Sequence, residues 1–122
     1  MANTFKLKTN GSMPATAGLP DALYTVPAST TSVIIGLTLA NNDTASITVD
    51  VKIVSTTVDA GQPVATQTNE TVFVIKGAPI VGGGSLELMA GNKYILQTGD
   101  ILQIDSDTSA KVDATLSIME IT

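Results

Sequence analysis

A chain of 122 residues, 43% of them hydrophobic, has the usual size of one domain and leaves no room for a second core. Eleven acids against six lysines give a net charge of −5, which argues against a surface that tracks nucleic-acid phosphates. With neither cysteine nor histidine, disulfides, thiolate metal sites and Ser-His or Cys-His nucleophile pairs are excluded.

Met1 to Asn10 lacks the apolar core of a signal peptide, and no apolar run approaches the ~20 residues that span a bilayer. The expectation is a soluble protein without membrane contact, folded in a reducing cytoplasm. Aromatics are limited to Phe5, Tyr24, Phe73 and Tyr94, so Val, Ile, Leu and Ala must build the core. Such β-branched residues suit a pleated, half-buried surface.

In chain order, Thr4 to Lys8 alternates as a short strand, and the Gly- and Pro-containing stretch Asn10 to Pro20 reads as a loop or arm. Ala22 to Val26 stops at Pro27. Ser32 to Asn41 sets Ile35, Leu37 and Leu39 on one strand face, and Asn42-Asp43-Thr44 marks a turn. Ser46 to Ser55 alternates most cleanly, with Ile47, Val49, Val51 and Ile53 against Thr48, Asp50 and Lys52. These two segments read as a hairpin.

A polar loop, Thr57 to Asn69, leads to a strand at Thr71 to Lys76 in which Phe73 and Ile75 share a face. Gly77, Pro79 and Gly82-Gly83-Gly84 then break the pattern. Ser85 to Met89 and Lys93 to Gln97 flank a Gly91-Asn92 turn, and Thr98-Gly99-Asp100 forms a corner before Ile101 to Asp105. A last hairpin turns at Asp107 to Ala110. Its return strand, Lys111 to Ile121, alternates Val112, Ala114, Leu116 and Ile118 against Asp113, Thr115 and Ser117. About eight or nine strands without a helix predict a single all-β domain over 1–122, a β-sandwich of jelly-roll or immunoglobulin-like kind, with 1–20 as an N-terminal arm.

The sequence contains no catalytic set, no metal set and no cofactor motif. Carboxylates, lysines and tyrosines remain, but a glycosidase-like carboxylate pair would want a sugar cleft lined by aromatics, which are scarce here. Asp105-Ser106-Asp107 resembles the opening of a calcium loop. Ala110 then stands where that loop needs glycine and Leu116 where it needs a bidentate glutamate, so a solvated turn is the better reading. Gly82-Gly83-Gly84 leads into a strand rather than a helix N-terminus, which favours a linker or a close chain approach over a phosphate cradle. Asn10-Gly11-Ser12, Asn42-Asp43-Thr44 and Asn69-Glu70-Thr71 fit the glycosylation pattern and are read as turns.

Several segments carry a resemblance: Leu23-Tyr24-Thr25-Val26-Pro27-Ala28, Val33 through Asn41, Ile47-Thr48-Val49-Asp50-Val51, Lys76-Gly77-Ala78-Pro79-Ile80, Gly84-Ser85-Leu86-Glu87-Leu88, Gly99-Asp100-Ile101-Leu102, and Leu116 through Ile121. In this order they resemble small virion structural proteins of tailed bacteriophages, particularly those infecting marine bacteria and cyanobacteria. The likeness covers nearly all of the chain after Leu23, and the polar insertion Thr57 to Asn69 departs from it.

The resemblance implies a non-enzymatic virion component assembled in the host cytoplasm, a capsid decoration or cement protein acting by multimeric contacts. Its implied partners are the major capsid protein or other virion proteins and further copies of itself. A closed symmetric assembly such as a trimer would also protect the β edges, and the charge and the short apolar runs give no expectation of a nucleic-acid or membrane partner. The alternatives are a neck, tail or fibre component, and a carbohydrate- or cell-surface-binding β-sandwich. Met1 to Lys8 could be a strand lent to another subunit.

Overall fold

A computed structural model describes residues 2–58, 68–89 and 93–122. Most of the Thr57 to Asn69 loop and the Gly91-Asn92 turn lie outside the described residues. Nine strands follow in chain order: β1 (Asn3–Met13), β2 (Asp21–Thr25), β3 (Thr31–Asn41), β4 (Ile47–Val54), β5 (Val72–Ile80), β6 (Ser85–Leu88), β7 (Tyr94–Gln97), β8 (Ile101–Ser106) and β9 (Val112–Ile121). Among the described residues there is no helix. The expected all-β sandwich is what the chain forms.

One sheet runs β1-β9-β3-β6, with β7 also on β3; the other runs β2-β8-β4-β5. β6 pairs with Leu37 to Ala40 and β7 with Thr31 to Ile34, so the two short strands lie end to end along one side of β3. Every connection crosses between the sheets except β4 to β5 and β6 to β7. That wiring is a jelly roll, in which sheet neighbours come from distant parts of the chain, rather than an immunoglobulin-like arrangement.

The apolar phases meet between the sheets. Ile34, Leu37, Leu39, Leu116 and Ile118 from one sheet face Ile47, Val49, Val51, Leu102 and Ile104 from the other, all of them buried. Each such side chain contributes roughly 1.5–3 kcal/mol of transfer free energy, which holds the layers together.

Two expected hairpins are corners instead. β3 and β4 lie in different sheets, as do β8 and β9, because their apolar faces bury each other across the core rather than side by side. Asn41 closes the first corner: its Nδ2 donates to the carbonyls of Ala45 (2.8 Å) and Ile80 (2.9 Å), and its Oδ1 accepts from the amide of Asp43 (2.8 Å).

Local irregularities change three further expectations. The register of β3 against β9 shifts between Ile34 and Gly36, so Ile34 joins Leu37 and Leu39 in the core and Ile35 is only half-buried. In β5, Phe73 pairs with Lys52 and Ile75 with Val51. That bulge places Phe73 and Ile75 on opposite faces, and Phe73 lies outside with Lys52 and Lys76 each 4.9 Å from its ring centre. The strand also runs on through Gly77 and Pro79 to Ile80. Proline is tolerated because β5 is an edge strand, whose outward amides have no partner to lose.

β1 is longer than the alternation at Thr4 to Lys8 predicts, reaching Met13 through a bulge after Asn10. The residues beyond it are fastened to the β8–β9 corner: Gly18 N donates to Ser106 O, Ala17 N to Ser109 Oγ, and Ala110 N to Pro14 O. Residues expected as an arm thus lie against their own domain, with β1 on β9 of the same chain.

Candidate functional site

Directly paired residues on antiparallel strands point to the same side of a sheet. Phe5 pairs with Met119, Met119 with Val33, and Val33 with Ile95. These four side chains form a continuous apolar row across β1, β9, β3 and β7 on the outward face of the sheet. Leu7 and Ile121 stand on the same face, two residues from Phe5 and Met119 along their strands. Exposure is high at its ends, 73% for Phe5, 63% for Leu7 and 67% for Ile95. Isolated exposed apolar residues are ordinary, whereas a contiguous patch marks a contact surface.

Most of the rest of that face is polar. A parallel row, Thr9, Thr115, Thr38 and Glu87, crosses the same sheet, and Asp113 lies beyond it, pairing with Ala40. The apolar row itself carries no ionisable side chain.

The other side of β1 holds a polar latch. Lys6 Nζ lies 2.6 Å from Glu120 Oε1. The Tyr24 hydroxyl donates to Glu120 Oε2 at 2.5 Å and lies 2.5 Å from Ser32 Oγ. Four strands therefore converge on one buried carboxylate. Lys6, with Tyr24 adding to it, holds the Glu120 carboxyl below the usual glutamate value. Burial, reinforced by the hydrogen bond to Glu120, pushes the Tyr24 phenol up to about 12. No motif in the sequence marks this cluster; its one local signal is that Glu120 continues the buried phase of Val112, Ala114, Leu116 and Ile118.

The acidic turn is used by the backbone. Asp105 Oδ1 accepts from the amides of Gly18 (3.1 Å) and Ser106 (2.8 Å). Asp107 Oδ1 accepts from Thr48 N (3.1 Å) and Thr108 Oγ1 (3.0 Å), and the Thr48 amide lowers its pKa. Among the described residues no three His, Cys, Asp or Glu side chains gather in a way that could hold a metal ion. In the glycine triplet, a Cβ at Gly82 would stand 2.3 Å from Thr44 O, so the close chain approach is real and shapes the crossing from β5 to β6.

A cleft of about 430 Å³ lies where β4 and β5 approach β7, with Ile53, Val72 and Tyr94 on its apolar side and Asn69 and Glu70 on its polar side. Asp100 at its floor accepts from Ser55 Oγ (2.6 Å), Thr57 Oγ1 (2.9 Å) and Gln97 N (2.9 Å). Ser55 spends its proton on this carboxylate, so the pair braces the Thr98-Gly99-Asp100 corner rather than presenting an activated hydroxyl.

Compared with known proteins, the chain matches no family model, no curated protein and no solved structure.

Proposed function

We propose that the protein is a non-enzymatic structural component of a phage virion, a decoration or cement protein that attaches to the particle in multiple copies. The observation that carries this reading is the uncharged apolar row Phe5–Met119–Val33–Ile95 on the outside of the sandwich. A flat row of this kind suits an extended protein surface better than a small ligand, which needs concavity. The jelly-roll wiring adds support by analogy alone, since capsid and lectin domains both use it. So does the resemblance carried by Leu23 to Ile121.

The partner this row fits is a virion shell protein offering an apolar, uncharged patch. Purified chain mixed with tailed-phage particles and sedimented should co-pellet with heads, and Val33→Ser with Ile95→Ser should abolish this while leaving thermal unfolding within a few degrees of wild type. Co-pelleting with isolated necks or tails instead moves the site to that part of the particle. Binding to no particle component overturns the reading.

The cleft beside Tyr94 favours a second reading, a carbohydrate-binding module. There Asn69 and Glu70 place hydrogen-bonding groups next to an aromatic ring. A glycan array probed with the isolated domain decides it, because a cement protein gives no glycan signal.

A further inference from the structure

β1 is an edge strand: β9 lies on one side of it, and among the described residues no strand lies on the other. Eleven residues long and without proline, it is a ready template for strand addition. Which of its groups are free follows from the ladder. Ala2 and Thr122 exchange both backbone hydrogen bonds, and in an antiparallel pair such residues alternate with ones that bond outward. Thr4, Lys6 and Lys8 therefore bond to β9, while Asn3, Phe5 and Leu7 turn their N–H and C=O groups to the open edge.

The geometry points to a second copy of this chain as the occupant, paired β1 to β1 antiparallel about a two-fold axis through Phe5. Two-fold pairing requires the outward residues to meet each other, which allows centres at Phe5, Lys6 or Leu7 in the middle of the exposed segment. Charge selects among them. A centre at Lys6 sets it against the partner's Lys6, and a centre at Leu7 sets Lys6 against the partner's Lys8. Like charges directly opposite are destabilising. A centre at Phe5 sets Lys6 opposite the partner's Thr4 and Lys8 opposite the partner's Ala2, and it joins Asn3 to the partner's Leu7.

In this arrangement Phe5 meets the partner's Phe5, and the apolar row doubles in length across one continuous sheet, from Ile95 of one copy to Ile95 of the partner subunit. The two-fold pair is an alternative to a closed trimer, and it stands on the edge geometry whether or not the protein belongs to a virion.

The chain has no cysteine, so single cysteines report the register cleanly. Across a hydrogen-bonded pair the Cα atoms are about 5.5 Å apart, within disulfide reach, whereas Leu7 lies about 14 Å from the partner's Leu7 in this register. Sedimentation equilibrium of the wild-type chain should give a dimer. Under mild oxidation Phe5→Cys should yield a covalent dimer, and Leu7→Cys should not.

Leu7→Pro, which removes an outward N–H and no bond to β9, should be monomeric with wild-type circular dichroism. A monomeric wild type, a dimer that cross-links through Leu7→Cys instead, or a dimer that cross-links through neither residue overturns the proposal. Particle binding separates the two readings: a cross-linked pair that binds no particle leaves this interface standing and removes the virion function.

Discussion

The Tyr24 hydroxyl donates to Glu120 Oε2 at 2.5 Å, joining the edge strand of one sheet to a central strand of the other. Because Ser32 Oγ lies 2.5 Å from the same hydroxyl and Lys6 closes on the other carboxylate oxygen, this one phenol holds a buried polar network complete. Networks of this kind stabilise when every member is paired and cost heavily when one is not.

Tyr24→Phe removes the donor and leaves Glu120 Oε2 and Ser32 Oγ short of a partner in a buried site. Urea denaturation should show a loss of about 1–3 kcal/mol without a change in the denaturant slope, since the fold and the area it buries are unaltered.

The pH dependence has two limbs of opposite sign. Glu120 has a lowered folded pKa, so its contribution is complete above the unfolded glutamate value of about 4.3 and is lost as pH falls through the lower folded value. Tyr24 is raised from 10.0 to about 12, so its contribution is complete below pH 10.0 and is lost as pH rises toward about 12. Melting temperature measured against pH should lose its Tyr24-dependent alkaline decline in Tyr24→Phe. Glu120→Gln should flatten the acid limb.

Asp100 accepts from three donors at the corner between β7 and β8. Asp100→Ala should cost about 3 kcal/mol and enlarge the floor of the neighbouring cleft. Asp100→Asn keeps the shape and should cost less, a difference that chemical denaturation of the two variants resolves.

Two glycines should respond in opposite ways to alanine. At Gly82 the new Cβ meets the Thr44 carbonyl at 2.3 Å, a backbone collision that should destabilise by about 1–3 kcal/mol. At Gly36 nothing lies within 4 Å and φ is not positive, so Gly36→Ala should be neutral or stabilising by up to ~1 kcal/mol through the unfolded chain. Differential scanning calorimetry of the two variants checks the contrast.

The acidic turn shows how a motif can be legible while its use is not. Asp105-Ser106-Asp107 stands out in the sequence, but whether its oxygens gather on a cation or disperse onto amides depends on where Gly18 and Thr48 arrive. Both come from elsewhere in the chain.

Strand content, the paired-sheet architecture and most of the core are legible in the order of residues, because those depend on a two-residue period that β-branched residues impose locally. Ile47, Val49, Val51, Leu116 and Ile118 fell on the buried face as the alternation requires. Strand partners come from long-range packing. Adjacency in sequence suggested that β3 would pair with β4 and β8 with β9, yet burial of apolar faces across the sandwich sent each pair to opposite sheets. Bulges then moved Ile34 inward and Phe73 outward against the simple period. The apolar row Phe5–Met119–Val33–Ile95 is the sharpest case: its four residues come from four strands, and only the register of three non-local ladders sets them side by side.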